Sequence, residues 1–256
     1  MKKTRTNKFK FFLFNIILMC LFLFNLSCGL DTFEVIEAPY QTTKKPEHND
    51  VEEIQSYENK EFEFFTNETG NYSEITFLGT EVYYKIYNNF QTMYNERSGL
   101  ITASESTSTS VSATQSLISK YKKLRVSNEQ KTDLLIPKSP SNSPIKVNIR
   151  LTDYDANWCA KVLVNDNPIN SDYEHSRPLR NMDSESTFNF DRDGNNNKIP
   201  ADSDSDFSSG SFSKPNIYYV CLFAVGTGVD MYYSPQYSKI LYLGTVTIDS
   251  NAVSWN

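Results

Sequence analysis

The sequence predicts a mainly-β fold, a single β-sandwich with a short helix and two long insertions, preceded by a signal peptide. Three observations lead to this prediction. Tyrosine (16) and phenylalanine (17) are abundant while glycine (9) is sparse, several stretches alternate apolar with polar residues, and no stretch after residue 30 is apolar enough to span a membrane. We expect the domain over residues 61–256, with insertions at about 89–144 and 165–214.

Six short stretches carry the strand signal. In residues 145–151, IKVNIRL, every second residue is apolar and the residues between are Lys146, Asn148 and Arg150. Residues 217–225, IYYVCLFAV, are apolar on both faces, as expected of a central strand. The other stretches are 61–65, 77–88, 159–164 and 239–248.

Two stretches break the β pattern. Residues 106–126 begin as low-complexity Ser/Thr and then place Leu117, Tyr121 and Leu124 at helical intervals, which predicts a short amphipathic helix that buries these side chains. Residues 183–213 repeat Asp, Ser and Asn with little apolar content, which predicts a long mobile insertion.

The amino terminus has the composition of a secretory signal. Residues 1–10 carry five positive charges and no acid, and the apolar run 11–24 is interrupted only by Asn15. A membrane-spanning helix needs about 20 apolar residues, so this shorter run favours a cleaved signal over residues 1–27. An uncleaved anchor is the alternative.

The end of that run, Phe24 to Cys28 (FNLSC), resembles the lipobox of bacterial lipoproteins, with small Ser27 before the cut and a glycine after the cysteine. Asn25 departs from the common pattern, and relaxed lipoboxes of this kind are similar to those of spirochaetes. The resemblance implies cleavage between Ser27 and Cys28 and fatty acids such as palmitate on Cys28. The protein would then be lipid-anchored in the cell envelope, facing the periplasm or the exterior, with residues 28–60 as a tether whose first part, TFEVIEAPY (32–40), could add an edge strand to the domain.

Cleavage also changes the charge. It removes five of the 25 basic residues and none of the 31 acidic ones, so the net charge falls from −6 to −11. An acidic surface disfavours nucleic acid and anionic headgroups as partners.

Three stretches resemble fibronectin type III and immunoglobulin domains. Tyr219-Val220-Cys221 followed by FAVGTG is similar to their penultimate strand, in which a tyrosine closes a corner by bonding to backbone. TEVYYKIYN (80–88) resembles the third strand and SPQYSKILYLGTVTI (234–248) the last. Trp158 lies beside Cys159 rather than between the cysteines, so the resemblance implies the fibronectin-like variant.

Two further candidate sites involve cysteines and acids. If Cys28 carries lipid, Cys159 and Cys221 could form a disulfide in an oxidising compartment, or could be two buried, unpaired thiols. Residues 191–202, DRDGNNNKIPAD, place four oxygen-bearing side chains at positions 1, 3, 5 and 12 of a calcium loop, although its glycine is at position 4 rather than 6. These are Asp191, Asp193, Asn195 and Asp202. The alternative is an acidic loop without metal, and we expect no other cofactor.

Tyrosines form the remaining candidate site. An exposed patch of them could bind a protein or a glycan, since tyrosine offers rigid contact area with a polar tip. The alternative is that half of them fill the core. The candidates are Tyr83, Tyr87, Tyr218, Tyr232, Tyr233 and Tyr237.

No sequence motif indicates catalysis. GxSxG, HExxH and a glycine-rich phosphate loop are absent, and neither His48 nor His175 has a second ligand at metal spacing. His175 near Asp172 could act as an acid or base, or be a solvated loop residue. We therefore expect a non-catalytic binding or adhesion module for a host or envelope component. The alternatives are an envelope enzyme with a carboxylate-based site for glycans, or a passive scaffold.

Overall fold

The structure is a computed structural model that describes residues 36–46, 56–68, 74–127, 134–182, 186–190 and 199–251. Two helices lie within these residues, α1 (Phe90–Glu105) and α2 (Ser110–Lys120). The strands in chain order are β1 (Phe62–Phe65), β2 (Ile75–Tyr87), β3 (Lys122–Lys123), β4 (Arg125–Val126), β5 (Ile136–Pro137), β6 (Lys146–Arg150), β7 (Lys161–Val164), β8 (Asn167–Pro168), β9 (Pro178–Leu179), β10 (Phe207–Ser208), β11 (Ile217–Asp230), β12 (Pro235–Tyr237) and β13 (Leu241–Asp249).

Most of the strands belong to two sheets. The small sheet has the antiparallel order β1-β6-β7-β8. The large sheet is built on the long antiparallel pair of β2 and β11, which runs from Tyr219 opposite Tyr87 to Asp230 opposite Ile75. β12 and β13 pair with β11, while β3, β5 and the parallel β10 pair with β2. β4 and β9 form a separate two-stranded ladder.

The two sheets pack face to face around an apolar core, which confirms the predicted mainly-β sandwich. Val147 and Ile149 of the small sheet lie in this core with Val82 and Leu222 of the large sheet. The alternation in IKVNIRL is confirmed, because Val147 and Ile149 face inward while Lys146 lies on the outer side beside Asp166. We call this interior the sheet-facing core.

The other face of the large sheet is covered by α1 and α2. Met93, Leu100 and Leu117 from this helical layer cluster with Tyr83, Tyr87, Tyr219, Cys221 and Phe223 of the sheet, and we call this interior the helix-facing core. β11 is therefore apolar on both faces because one face meets the small sheet and the other the helices.

The predicted helix is shorter than the segment 106–126, and a second helix precedes it. Leu117, Tyr121 and Leu124 are all buried, but Tyr121 and Leu124 lie beyond the last residue of α2. The sequence did not predict α1, because polar Arg97 and Ser104 share its buried face with Met93 and Leu100. Its cap was a usable signal, since the Asn89 side chain accepts a hydrogen bond from the Thr92 N–H (2.9 Å).

Part of the predicted tether belongs to the domain. Ile36 is 2% exposed, and Tyr40 forms a β-bridge with Phe65. The Gln41 amide joins the two sheets by donating to the carbonyl oxygens of Glu63 (2.8 Å) and Leu243 (3.3 Å). Residues 36–46 thus pack onto the sandwich rather than forming a tether, and the bridge at Tyr40 agrees with the edge strand expected at the end of residues 32–40.

The described parts of the second insertion are also packed. Phe188, Phe190 and Asp206 are fully buried, and Arg180 is 1% exposed. The prediction of a long mobile insertion over 183–213 is therefore wrong for these positions. The error has a physical cause, because a few aromatic side chains and one buried ion pair hold a segment that is otherwise polar. Residues 183–185 and 191–198 lie outside the described residues.

Candidate functional site

The two most exposed large apolar side chains of the described residues are Tyr232 (78%) and Tyr233 (85%). They follow Met231 (66%) in the turn that joins β11 to β12. We call residues 231–233 the aromatic tip. Three neighbouring exposed side chains of this kind form a ready contact surface, whereas single exposed apolar residues are normal.

The turn beneath the tip is held by the residue that begins it. The Asp230 carboxylate accepts hydrogen bonds from the Tyr232 N–H (2.8 Å), the Ser234 N–H (2.8 Å) and the Gln236 amide (3.2 Å). The Tyr233 N–H also donates to the Asp230 carbonyl oxygen (2.9 Å). Aspartate favours turns because its side chain bonds nearby backbone in this way. The tip is therefore preorganised, which lowers the entropic cost of binding.

Tyr233 has an unfavourable backbone conformation for its residue type. Its φ is +62°, in the left-handed region, where glycine or asparagine carries a smaller steric penalty. Among the described residues, the other non-glycine positions with positive φ are Asn142, Asn165, Asp166 and Asn216. An aromatic side chain in a conformation that suits asparagine, and almost fully exposed, has no packing explanation. Such outliers point to function.

The tip is also uncharged. Residues 231–238, MYYSPQYS, contain no charged side chain in a chain of which 22% is charged. The nearest acid along the chain, Asp230, is occupied by the turn. The surface therefore offers aromatic area, a thioether and neutral hydrogen-bonding groups.

The other predicted tyrosines are not part of this surface. Tyr83 and Tyr87 are 1% and 0% exposed in the helix-facing core, so the prediction of an exposed patch is wrong for both. Burial raises the pKa of each phenol well above its usual value. Tyr218 is buried in the sheet-facing core, and Tyr237 is partly buried against the helix-facing core. The unpredicted helices explain the difference, because they cover the face that Tyr83 and Tyr87 occupy.

The two cysteines of the described residues, Cys159 and Cys221, are both free, so the possible disulfide between them is not formed. The alternative of two buried thiols holds for Cys221, whereas Cys159 is exposed. Cys221 lies on the helix-facing side of β11, 3.0 Å from the Thr245 hydroxyl, and burial raises its pKa to about 12. The Cys159 thiol lies in a turn and donates to the Ala156 carbonyl oxygen (3.5 Å).

Several predicted site residues lie outside the described residues. These are Ser27, Cys28, Asp191, Asp193 and Asn195. Asp202 is described and exposed. The described part of the chain contains no group of three or more acidic, histidine or cysteine side chains that could hold a metal ion. Calcium binding by residues 191–202 therefore stays a prediction.

The buried carboxylates of the described residues are all engaged. Glu81 pairs with Lys123 and accepts a hydrogen bond from Tyr83, and Asp206 pairs with Arg180 (2.6 Å). Glu68 accepts from the Ser139 N–H (2.7 Å). A general acid or base must be reachable by substrate, and these groups are structural.

His175 and Asp172 form an exposed pair. The imidazole Nδ1 lies 2.7 Å from an Asp172 oxygen, and this hydrogen bond raises the pKa of His175. The neighbouring Ser176 hydroxyl donates to the Asp172 carbonyl oxygen (2.6 Å), so it does not complete a nucleophile–base pair. The contacts describe a tight turn.

Within the described residues, neither helix combines the length and the hydropathy needed to cross a bilayer. Comparisons with protein-family models, curated proteins and solved structures found no match to this chain.

Proposed function

We propose that this chain is a bacterial envelope lipoprotein, anchored by lipid on Cys28, whose β-sandwich is a non-catalytic binding module for a host or envelope component. The amino-terminal signal and the lipobox-like FNLSC support the anchor. The fibronectin-like assignment belongs to this proposal, and the antiparallel neighbours β2, β11 and β13 support it. The third, penultimate and last strands share one sheet in such sandwiches.

One observation carries the binding role: an exposed tyrosine pair on a preorganised turn, with Tyr233 in the left-handed region. Tyrosine and methionine are both enriched at interfaces, and tyrosine supplies large contact area with only two side-chain torsions to immobilise. A passive scaffold has no need for an aromatic residue in this conformation at an exposed tip. The alternative of a carboxylate-based enzyme gains no support from the buried carboxylates of the described residues, which are paired or hydrogen-bonded within the fold.

Two measurements test the proposal. Labelled fatty acid should enter the wild-type chain and not Cys28→Ala, because the thiol is the attachment point. For contact, a photoreactive phenylalanine analogue is placed at Tyr232 in the full chain in bacterial cells, and irradiation should give an adduct with an envelope component.

The matched control carries the same analogue at Phe212, a 44% exposed aromatic residue that packs on Tyr218 at the other end of β11. Equal fatty-acid labelling of wild type and Cys28→Ala would contradict the proposed lipid anchor. Equal adducts at Tyr232 and Phe212, or none at either, would contradict the proposed binding role of the tip.

A further inference from the structure

We infer that the surface contacted by the aromatic tip is the lipid–water interface of the membrane that carries the anchor. The domain is then held at two points, the acyl chains on Cys28 and the side chains of residues 231–233. This inference rests on the lipid anchor of the proposed function, and it specifies which envelope component the tip contacts.

The first step is where the chain enters the domain. A Cβ on Gly226 would lie 2.9 Å from Ile36 Cγ2, and a Cβ on Gly228 would lie 2.9 Å from Ile36 Cδ1. Ile36 therefore packs directly over these two glycines, which allow the close approach because they lack side chains. Gly228 is two residues before Asp230, the first residue of the turn. The chain thus enters the sandwich at the tip end of β11.

The second step is the length of chain between that entry and the anchor. Seven residues lie between Cys28 and Ile36, and the eight Cα-to-Cα steps that join them extend at most about 28 Å. Met231 is three residues from Gly228, or at most about 10 Å. The opposite end of β11, beside Phe212, is about 40 Å from the tip along this 14-residue strand. The segment between a lipid on Cys28 and the domain is therefore shorter than β11 and joins the domain at its tip end, which leaves the tip within reach of the anchoring bilayer.

The third step is chemical. Tyrosine prefers the boundary between headgroups and acyl chains, where its ring is in apolar surroundings and its hydroxyl meets water. Met231 adds an apolar side chain that is 66% exposed. The uncharged segment 231–238 escapes the repulsion that anionic headgroups exert on the acidic remainder of the chain. A protein partner could also bind these side chains, but binding to a protein would not require the tip to lie at the end of the domain where the lipid-anchored segment enters.

The experiment uses the full, lipid-modified chain on vesicles of neutral phosphatidylcholine that contains a labelled phospholipid. The photoreactive analogue stands at Tyr232, at Met231, or, as the control, at Phe212. Sedimentation of the vesicles reports anchoring, and transfer of label to protein reports lipid contact. We expect labelled adducts severalfold above the Phe212 control at both tip positions. Tyr232→Ser/Tyr233→Ser should reduce the Met231 adduct severalfold without changing the melting temperature, because both tyrosines are exposed.

Each outcome decides one of the two proposals. If the chain sediments with vesicles but the tip positions give no more lipid adduct than Phe212, the tip does not reach the bilayer and the inference is wrong while the anchor stands. If Cys28→Ala sediments as fully as wild type, the anchor is wrong. If Tyr232 adducts in cells are with protein and those on vesicles are absent, the tip is a protein-binding surface.

Discussion

The two cores on either side of the large sheet are equally buried but chemically different. The sheet-facing core contains aliphatic residues such as Val82, Ile86 and Leu222, all 0% exposed. The helix-facing core takes the intervening residues of the same strands, among them Tyr83, Tyr87 and Cys221. Residues one position apart in sequence therefore enter different interiors, depending on which layer covers them, and the helix-facing one is richer in tyrosine.

Directional contacts hold the helical layer to the sheet. The Tyr87 and Tyr121 hydroxyls are 2.8 Å apart, and Lys85 lies 2.9 Å from Glu96 of α1. Arg97 of α1 donates to the Tyr242 hydroxyl (3.2 Å). The sheet-facing core is stabilised mainly by buried apolar area, which tolerates changes of detail. Hydrogen bonds between buried groups are specific to both partners, so removing one leaves the other unsatisfied.

The sheet-facing core borders a buried ion pair, which gives the largest expected effect. Asp206 is fully buried, accepts a hydrogen bond from Tyr84 (2.7 Å) and pairs with Arg180, itself 1% exposed. Asp206→Ala would leave a buried guanidinium with part of its charge uncompensated. We expect the free energy of unfolding, measured by urea denaturation, to fall by about 3–5 kcal/mol.

The matched control is Asp204→Ala. Asp204 also pairs with Arg180 (2.7 Å), but its side chain is 12% exposed and Arg180 keeps Asp206. A loss well below that of Asp206→Ala is expected. Equal losses would mean that the two acids share the guanidinium evenly, and that burial of Asp206 is not what fixes the second insertion.

The polar helix-facing core gives the second prediction. Tyr87→Phe keeps the ring but leaves the buried Tyr121 hydroxyl without its partner, so the free energy of unfolding should fall by about 1–3 kcal/mol. Tyr87→Phe/Tyr121→Phe removes both hydroxyls, and its loss should be smaller than the sum of the two single losses. Urea denaturation of the four proteins closes the double-mutant cycle.

Tyr94→Phe is the control in the same layer. Tyr94 is 40% exposed on α1, and its ring contact with Arg97 is preserved in the variant, so a change within about 0.5 kcal/mol is expected. Additive losses for the two buried tyrosines would show that the helical layer is held by area alone. The contrast between the two cores would then fail.

Period-two alternation explains which parts of the fold could be predicted. It correctly placed Val147 and Ile149 inside, since a strand with one buried face repeats every two residues. It did not reveal what covers the other face of β2, because a tyrosine suits a core and a surface equally well. α1 was not predicted because a charged residue, Arg97, lies on its buried side and interrupts the apolar pattern. Side-chain pairing across layers, rather than local pattern, decides these positions.

The candidate site was predicted only in part. Tyr232 and Tyr233 belonged to the expected patch and are exposed, whereas Tyr83 and Tyr87 are buried. A turn signal was present in the sequence, because Asp230 precedes the tyrosines, Ser234-Pro235 follows them, and all three residue types favour turns. The positive φ of Tyr233 and the packing of Ile36 over Gly226 and Gly228 depend on the folded chain and had no local signature.

An exposed ion pair outside both cores gives the smallest expected effect. The Asp172 hydrogen bond raises the pKa of His175 above 6.5 in the folded protein. The pKa of Asp172 is lowered chiefly by the hydrogen bond from the His175 backbone N–H and further by the imidazole. The stabilisation from His175 is fully present below pH 6.5 and is lost as the pH rises through the raised pKa. That from Asp172 is lost as the pH falls through its lowered pKa. The pair therefore stabilises the folded state most at pH values between the lowered pKa of Asp172 and the raised pKa of His175. Its total contribution to the free energy of unfolding is small because solvent screens the two charges.

NMR titration of the imidazole protons measures this shift. Asp172→Asn should return the pKa of His175 towards 6.5, because the acceptor loses its charge, while the free energy of unfolding changes less than in either core variant. Glu174→Gln is the matched control, since Glu174 acts on His175 only through its charge and should lower the pKa less. His175→Gln assigns the resonance, because the chain has only two histidines. An unshifted pKa of His175 in Asp172→Asn would show that the turn, rather than the carboxylate, sets the titration. A large loss of unfolding free energy would show that this exposed pair stabilises the fold as much as the buried polar contacts of the helical layer do.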